Sequence, residues 1–342
     1  MSKFRFGLIG LGNISDFHLN ALQTLNDRAE LSVVCCRTES RGNEVAKKHD
    51  CKWVPDYRET FSDVDALIIA TPHHLHYPMV RDALEAGVHS ILLEKPIANS
   101  PEHVDELTAL AVEKQAYVQV GYELRYEPAL VTMKKVINEK RLGEPVMALL
   151  RTEHGFPAEE FQKSLTWAGT IEELGGGVLF SHGCHYVDLL IWMLGNITEA
   201  SCVRNRSLLK DVMEGEDSAL ANFRFESGAV ASYMATWAVL YRELAIDLRI
   251  YCLEGQLVFI QLEDASTKLY AITAEGQQDL ADETRPGASG PTDGFVTYGT
   301  FVKQLEGFLD AVEIGADSSR SLREGRKSVD AIWSAYANST FD

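Results

Sequence analysis

A glycine-rich turn decides the fold of this chain: Gly7-Leu-Ile-Gly10-Leu-Gly12-Asn-Ile-Ser15 lies between an apolar segment and a stretch with helical periodicity. Glycines permit a tight turn, and a backbone without side chains lets a pyrophosphate approach the first turn of the following helix. Ser15 stands where Gly or Ala is usual, which predicts a slightly wider spacing of helix and strand. The predicted dinucleotide-binding residues of the turn are Gly10, Gly12, Asn13 and Ile14.

Short apolar strands alternate with helical stretches over residues 1–123. Apolar strands separated by helices predict a parallel sheet covered on both faces, which is a doubly wound α/β Rossmann fold. The predicted strands are Phe4 to Ile9, Leu31 to Cys36, Ala66 to Ala70, Ser90 to Leu93 and Tyr117 to Val120. The predicted helices include Pro78 to Glu85 and Pro101 to Glu113, and Ser100 is the expected N-cap of the second.

After residue 123 strand-like segments dominate, which predicts an α+β domain with a large, mostly antiparallel, open sheet. We assign 1–123 to a nucleotide-binding domain and 124–342 to a domain for substrate binding and oligomerisation. The predicted strands are Val146 to Glu153, Ser218 to Phe225, Gly228 to Trp237, Ala245 to Cys252 and Gln256 to Gln261. The predicted helices are Pro128 to Lys140, Gly177 to Leu194, Tyr298 to Ile314 and Arg323 to Ser339, and 273–293 is a predicted surface loop.

Composition excludes several classes of function. With 342 residues, 46% hydrophobic and 24% charged, the chain has the make-up of an ordinary globular protein of about two domains. A net charge of -18 argues against nucleic acid and against an anionic membrane surface as partners. No apolar run approaches a membrane span, the N-terminus leads directly into a strand, and the six cysteines show no Cys-x-x-Cys spacing. These features predict a cytoplasmic protein with reduced cysteines.

The residues after the second predicted strand bear on the choice of dinucleotide. Enzymes that use NAD usually place an acidic residue there for the ribose 2′-hydroxyl. This chain has Cys36-Arg37-Thr38-Glu39-Ser40-Arg41, with two arginines and two hydroxyls. Arginine offers paired donors to a phosphate, so Arg37, Thr38 and Arg41 predict NADP in preference to NAD. Two other interpretations stay open: the arginines are exposed residues at a helix start, or Glu39 binds a ribose.

A lysine stands at the end of another predicted strand, in Ser90-Ile-Leu-Leu-Glu94-Lys95-Pro96. In an open parallel sheet, ligands bind beyond the carboxyl ends of the strands. Lys95 can therefore meet both a cofactor and a substrate. The competing interpretation is a solvated surface lysine, which is the commoner fate of a strand-end Lys.

Several short motifs, taken in order and spacing, are similar to those of one known family. They are Gly10-x-Gly12 with His18, Ala70-Thr71-Pro72-His73-His74-Leu75-His76, Glu94-Lys95-Pro96, Gly121-Tyr122-Glu123-Leu124-Arg125-Tyr126, Gly175-Gly176-Gly177-Val178-Leu179 and His185-Tyr186-Val187-Asp188. The chain resembles the glucose-fructose oxidoreductase, inositol dehydrogenase and rhizopine-catabolism (Gfo/Idh/MocA) family over essentially its whole length. The resemblance implies a Rossmann domain, then an α/β domain whose open sheet often forms a dimer interface. It also implies hydride exchange between NAD(P) and a secondary alcohol or ketone of a sugar or cyclitol.

The resemblance implies roles for individual residues. It makes Lys95 and His185 the catalytic residues. The implied cofactor-binding residues, beyond those of the turn and the second strand, are Thr71, Pro72, His73, His76, Glu94 and Lys95. The implied substrate-binding residues are Lys95, Tyr122, Arg125, Trp167, Ser181, His182 and His185. The implied partners are a small sugar or polyol and further copies of the chain, in a homodimer or homotetramer.

Two positions depart from the family pattern. The glycine triplet usually leads to Asp-x-Gly-x-His, but here it leads to Ser181-His182-Gly183-Cys184-His185, so Ser181 replaces the usual Asp. Glu123 stands where the family often has Asn. The first departure changes the usual set of Lys, Asp and His, and the second alters the polarity expected near the nicotinamide.

Oxidation of an alcohol needs a base for the hydroxyl proton, and His is the side chain best matched to that task at neutral pH. His185 is the predicted base, although a buried packing histidine has the same sequence pattern. Lys95 would stabilise an alkoxide-like transition state. Asp188, one turn beyond His185, could orient the His185 ring or simply complement the helix dipole. The clusters His73-His74-x-His76 and His182-x-Cys184-His185 lack the spaced ligand pairs and backing carboxylate of a metal site, so no metal is predicted.

Three functions from different classes are compatible with these motifs. The first is an NAD(P)-dependent sugar or polyol oxidoreductase. The second is a glycosidase-like enzyme that oxidises its sugar transiently and returns the hydride, so that no reduced cofactor accumulates. The third is a non-catalytic sensor that keeps the dinucleotide fold, against which Lys95 and His185 both argue.

Overall fold

The computed structural model describes residues 3–155, 157–164, 166–264, 266–280, 298–316 and 318–341. The chain forms two compact units. The first comprises Met1–Glu123 and Tyr298–Arg326, and the second comprises Leu124–Thr297 and Lys327–Asp342.

The first unit contains a six-stranded parallel sheet in the order β3-β2-β1-β4-β5-β6. This is the strand order of a dinucleotide-binding Rossmann fold, and it confirms the predicted doubly wound sheet. The edge strand β3 escaped prediction because three residues are too few to show a pattern. The strands are β1 (Phe4–Ile9), β2 (Ala29–Cys35), β3 (Lys52–Val54), β4 (Ala66–Ile69), β5 (Ser90–Glu94) and β6 (Tyr117–Gly121).

Helices connect these strands: α1 (Ser15–Thr24), α2 (Glu39–His49), α3 (His73–Glu85) and α4 (Pro101–Glu113). The bounds predicted for α4 are correct, and Ser100 Oγ accepts from the His103 N–H at 3.3 Å. The start predicted for α3 is wrong, because the helix begins after Pro72 and carries Pro78 in its interior. The earlier start places His73 and His76 in the first turn of α3, just beyond β4.

The second unit contains a nine-stranded sheet in the order β14-β13-β12-β11-β7-β10-β9-β8-β15. Among the strand pairs of the described residues, only β7–β10 and β8–β15 are parallel, so the predicted mostly antiparallel open sheet is confirmed. Alternate residues of β9 are buried and exposed, as expected for a sheet covered on one face. The strands are β7 (Pro145–Glu153), β8 (Ile197–Asn205), β9 (Ser218–Phe225), β10 (Val230–Thr236), β11 (Leu244–Cys252), β12 (Gly255–Leu262), β13 (Thr267–Thr273), β14 (Gly276–Asp279) and β15 (Ser339–Phe341).

Part of the predicted surface loop 273–293 is a strand. The polar segment Gly276–Asp279 pairs antiparallel with β13, and all four of its residues are exposed because it is the edge of the sheet. Residues 281–293 of that prediction lie outside the described residues.

The helices of the second unit are α5 (Pro128–Asn138), α6 (Ala158–Ser164), α7 (Ile171–Leu174), α8 (Val178–Ser181) and α9 (Gly183–Leu194). The single helix predicted over Gly177 to Leu194 is divided at His182. Within the described ranges, no single helix is long and apolar enough to cross a membrane; Ile171–Ser181 and Gly183–Leu194 reach the criterion only together and are bent by 46°.

The last helices are α10 (Tyr298–Glu313) and α11 (Ser318–Ala337). Helix α10 packs on the first unit through aromatic contacts: the ring centroids of Phe17 and Phe301 are 5.0 Å apart, and those of Phe6 and Phe308 are 6.1 Å apart. Tyr298–Arg326 therefore belongs with the first unit, a return of the chain that the division at residue 123 did not include.

Candidate active site

The glycine-rich turn between β1 and α1 leaves room for a ligand. Gly10 has a φ of +99°, and a Cβ there would lie 2.2 Å from the Ala70 carbonyl oxygen, so a larger residue cannot replace it. A Cβ on the exposed Gly12 would meet no atom within 4 Å. Ser15 is fully buried, and its Oγ donates to the Gly12 carbonyl at 2.6 Å. The turn is thus fixed by Gly10 and Ser15, and it is open at Gly12, Asn13 and Ile14, where a pyrophosphate fits against the helix N-terminus.

The end of β2 presents cationic and hydroxyl side chains. Arg37 and Thr38 are exposed, and no carboxylate of the described residues forms an ion pair with Arg37. Arg41, in contrast, lies 2.8 Å from Asp16 and 3.4 Å from Glu44. Of the two predicted arginines, Arg37 is the one whose guanidinium remains available to an anion.

The carboxylate of Glu94 at the end of β5 is directed into the protein. Its Oε1 lies 2.8 Å from Nε2 of His18, and its Oε2 accepts from the Lys95 backbone N–H at 3.2 Å. Because a carboxylate can only accept, Nε2 of His18 carries the proton. Burial tends to raise the pKa of Glu94, but the hydrogen bond and charge of His18 and the charge of Lys95 outweigh it and hold that pKa below its usual range.

His76 binds the protein's own backbone. It is fully buried, with Nδ1 2.7 Å from the Pro96 carbonyl oxygen and Nε2 2.9 Å from that of Thr71. Burial lowers the pKa of His76. Its nitrogens therefore join the segments after β4 and β5, and its contact with a cofactor stays a prediction. Thr71 and Pro72 are half-buried between β4 and α3, and His73 is buried at the start of α3.

In the second unit, a buried carboxylate holds the glycine triplet. The Tyr336 hydroxyl donates to Glu216 Oε1 at 2.6 Å, and the Leu179 N–H donates to the same oxygen at 3.1 Å. Burial raises the pKa of Glu216, which is fully enclosed. A Cβ on Gly177 would lie 2.1 Å from the Glu216 carbonyl oxygen. Gly177 is thus glycine because Glu216 occupies the space of a side chain, whereas a Cβ on Gly175 or Gly176 would collide with Phe180. The sequence alone does not reveal this role of Glu216.

Helices α8 and α9 bring Ser181, His182 and His185 to one region of the second unit. Ser181 ends α8, His182 stands at the break, and His185 lies half-buried in the first turn of α9. The His182 ring centroid is 5.6 Å from that of His154, which sequence reasoning missed. Burial, with a smaller effect of the Arg242 charge, lowers the pKa of His154 to about 3. Over the described ranges, no three His, Cys, Asp or Glu side chains are grouped to hold a metal ion.

Two predicted pocket residues bind partners in the protein. Arg125 forms a bidentate salt bridge with Asp188, in which Nε and Nη2 of Arg125 each lie 2.7 Å from a carboxylate oxygen. Asp188 is nearly fully buried, so this salt bridge fixes α9 to the segment after β6. The orientation of His185 by Asp188 stays a prediction. Tyr122 donates its hydroxyl to the Gly325 carbonyl at 3.1 Å. Trp167 is half-buried before α7.

Two models of one family match this chain. The model described as "Oxidoreductase family, NAD-binding Rossmann fold" matches residues 4–122. The "GFO/IDH/MocA C-terminal domain" matches residues 130–258.

Several dehydrogenases are similar to the chain in sequence or in fold. The scyllo-inositol 2-dehydrogenase (NAD(+)) of Bacillus subtilis (strain 168) is 30% identical over 68% of this chain and 67% of its own. The inositol 2-dehydrogenase of Rhizobium meliloti (strain 1021) is 26% identical over 94% and 92% of the two chains. A levoglucosan dehydrogenase solved with NADH and levoglucosan shares the fold, with a TM-score of 0.85, 23% identity and coverage of 98% and 97%. The chain therefore belongs to the Gfo/Idh/MocA family of oxidoreductases with an NAD-binding Rossmann fold.

Proposed function

We propose that this enzyme transfers a hydride between a nicotinamide dinucleotide and a secondary alcohol or ketone of a sugar, polyol or sugar derivative. The observation that carries the proposal lies in the first unit. The open turn at Gly12 follows β1 and Lys95 follows β5, so both stand beyond the carboxyl ends of strands in one parallel sheet. A dinucleotide on the turn and a reactive lysine then share the ligand-binding edge of the sheet.

The substrate class is supported by what similar proteins are named for. They include the inositol dehydrogenases and a 1,5-anhydro-D-fructose reductase of Ensifer adhaerens, 27% identical over 74% of this chain and 75% of its own. All three names describe the oxidation or reduction of a polyol or sugar at carbon. The histidines and serine that α8 and α9 bring together suit such hydroxyl-rich ligands, because each of these groups can donate or accept a hydrogen bond.

The first unit supplies the groups that would hold the cofactor. Gly10, Gly12 and the N-terminus of α1 suit the pyrophosphate, and the exposed Arg37 and Thr38 suit a ribose 2′-phosphate. We therefore propose NADP in preference to NAD. When bound, the nicotinamide supplies the acceptor or donor of the hydride.

Two residues of the chain carry the remaining chemistry in this proposal. The Lys95 ammonium donates a hydrogen bond to the reacting oxygen and stabilises negative charge that develops there. His185 takes the hydroxyl proton during oxidation and returns it during reduction. Ser181 supplies a hydroxyl without the charge of the usual Asp, so the proton-transfer residue works beside a neutral neighbour.

The test is a panel of sugars, inositols and nucleotide sugars with NAD and with NADP, followed by the absorbance of the reduced nicotinamide. We expect net reduction with at least one substrate and its loss in Lys95→Met. Cleavage of a glycoside without net reduction would favour the glycosidase-like function. Tight cofactor binding without turnover of any member of the panel would favour a sensor.

We also propose that the chain assembles as a homodimer or homotetramer through the uncovered face of the nine-stranded sheet. Cross-strand pairing puts Val203, Leu220 and Met234 in one row on that face, and Val203 and Leu220 are 60% and 52% exposed. A continuous apolar row of this kind is costly in water unless a partner covers it. Light scattering should detect an oligomer that Leu220→Glu dissociates and that the loop variant Leu240→Glu keeps. A wild-type monomer at micromolar concentration would contradict the proposal.

A further inference from the structure

A buried acid and a buried histidine stand behind the lysine at the end of β5. Glu94 is 6% exposed and His18 is 2% exposed, and their side chains meet at 2.8 Å. Room for the carboxylate comes from Gly121 on β6, where a Cβ would lie only 3.2 Å from Glu94 Oε1. The His18 ring is held edge-on against Phe301, with centroids 5.0 Å apart at 88°. The pair is therefore fixed on three sides by β5, β6 and α10.

The backbone from residue 94 to residue 96 is held at successive points. Glu94 Oε2 accepts the Lys95 N–H, and His76 Nδ1 lies 2.7 Å from the Pro96 carbonyl oxygen. The first contact holds the Glu94–Lys95 peptide unit directly before the Lys95 Cα, and the second holds the Pro96–Ile97 unit, one residue beyond it. The unit held by Glu94 restricts the direction in which the Lys95 side chain leaves the strand end, and His76 anchors the backbone that follows.

We propose that Glu94 and His18 are positioning residues for Lys95: the Glu94 carboxylate, held by His18, orients the Lys95 backbone and places a fixed negative charge beside its ammonium group. The role of Lys95 in turnover rests on the proposed function, but the positioning does not. Both oxygens of Glu94 face protein donors, which supports this indirect role, and the direct contact of Glu94 with a cofactor stays a prediction. The lowered pKa of Glu94 agrees with an ionised carboxylate at this position.

The location of His18 adds a second consequence. His18 lies in α1, the helix that follows the open Gly12 turn, one turn after Ser15. The helix that receives the pyrophosphate thus also carries the donor that holds Glu94. A bound cofactor that fixes the start of α1 would fix the position of Lys95 with it, so Lys95 should be best ordered when the cofactor is present.

The test uses selective ¹⁵N-lysine labelling, with the Lys95 amide resonance assigned by Lys95→Arg. In the wild type, an N–H that donates to a carboxylate should resonate downfield of those of solvent-exposed lysines. Glu94→Gln removes the charge at similar volume, and His18→Phe removes the donor. His18→Gln restores an N–H donor in a similar place, and His89→Gln, at an exposed histidine of the same unit, is the matched control. We expect the Lys95 resonance to move upfield in Glu94→Gln and His18→Phe, to return in His18→Gln and to stay unchanged in the control.

Kinetics then separate positioning from cofactor binding. For His18→Phe we expect kcat to fall about 10²-fold, the scale of a misplaced reacting group, with Kd for the cofactor changed by less than about threefold. His18→Gln should recover to within about tenfold of the wild type. In Glu94→Gln we also expect kcat to fall with the Kd for the cofactor little changed, because an amide holds the Lys95 N–H less strongly than a carboxylate does. A purely structural role would lower the melting temperature of His18→Phe and leave kcat at saturating cofactor near the wild-type value.

The outcomes that overturn the inference differ from those that overturn the proposed function. A wild-type Lys95 resonance at the position of exposed lysines contradicts the inference even if the Glu94 and His18 variants do not fold. So does a Glu94→Gln variant that loses cofactor affinity but keeps kcat at saturation, since Glu94 would then be a cofactor ligand. A wild type without any turnover contradicts the proposed function, while the Lys95 resonance still decides the inference.

Discussion

The proposed preference for NADP can be tested by reversing one charge, in Arg37→Asp. Arg37 is exposed at the end of β2 and has no ion-pair partner among the described residues, whereas Arg41 is shared between Asp16 and Glu44. Removal of Arg37 therefore takes away the cation best placed for a 2′-phosphate, and Asp introduces repulsion at the same point. The new acid also supplies the acceptor that a ribose 2′-hydroxyl normally finds there.

The size of the effect follows from the exposure of the site. A charge-assisted hydrogen bond is worth about 1.5–3 kcal/mol, and screening by water at this exposed position favours the lower end. Repulsion between Asp and phosphate in water adds about 1 kcal/mol. The sum, about 2–3 kcal/mol, corresponds to a rise of roughly 30- to 150-fold in Kd for NADP. For NAD, one hydrogen bond to the ribose should lower Kd by about fivefold.

The assay is calorimetric titration of wild type, Arg37→Asp and Arg41→Met with both dinucleotides at one ionic strength. Arg41→Met should weaken NADP binding less than Arg37→Asp, because its guanidinium already has carboxylate partners. Higher salt should reduce the wild-type preference. Wild type that binds NAD more tightly, or an Arg37→Asp variant that changes both affinities equally, would refute the argument.

Three further outcomes are expected. Lys95→Met should keep its melting temperature and cofactor affinity but lose about 10²-fold or more in kcat, and a raised KM with unchanged kcat would instead mark Lys95 as a binding residue. His185→Ala should abolish most turnover, whereas Ser181→Asp should be tolerated. Because a carboxylate raises the pKa of a neighbouring imidazole, Ser181→Asp should move the acidic limb of the pH–rate profile for oxidation to higher pH. Near-normal activity of His185→Ala with the same profile would assign proton transfer to another residue. Gln304 is fully buried in α10, and neither its amide oxygen nor its amide nitrogen has a hydrogen-bond partner among the described residues. Gln304→Met should therefore raise the free energy of unfolding, measured by urea denaturation, by about 1–2 kcal/mol. A lower free energy of unfolding in the variant would contradict this reasoning.

Local patterns predicted much of the fold. A few neighbouring residues were enough to predict the glycine-rich turn between an apolar strand and a helix. The same holds for the start of α4, which the pair Ser100-Pro101 predicts. The start of α3 was misplaced because Pro78 is the stronger local signal, although Pro72 begins the helix. Strands β8 and β13 to β15 were not predicted, because their positions in the sheet depend on pairing with distant segments.

The candidate site could be predicted only in part, because many of its side chains are held by partners distant in sequence. Lys95 and the open Gly12 turn are properties of strand ends, which sequence reveals. The uses of Glu94, His76 and Arg125 depend on partners far along the chain, at His18, Pro96 and Asp188. The sequence around Glu216 gave no sign of its role, although Gly177, which Glu216 requires to be glycine, was recognised as part of the glycine triplet.

The central claim is direct hydride transfer between nicotinamide and a carbinol carbon with the help of Lys95. It is tested most directly with a substrate from the panel that carries deuterium on the reacting carbon, followed by mass spectrometry of the nicotinamide product. We expect one deuterium in the reduced nicotinamide formed by wild type, and the reaction should slow about 10²-fold in Lys95→Met. Reduced nicotinamide without deuterium, or equal rates for the two proteins, would contradict the account.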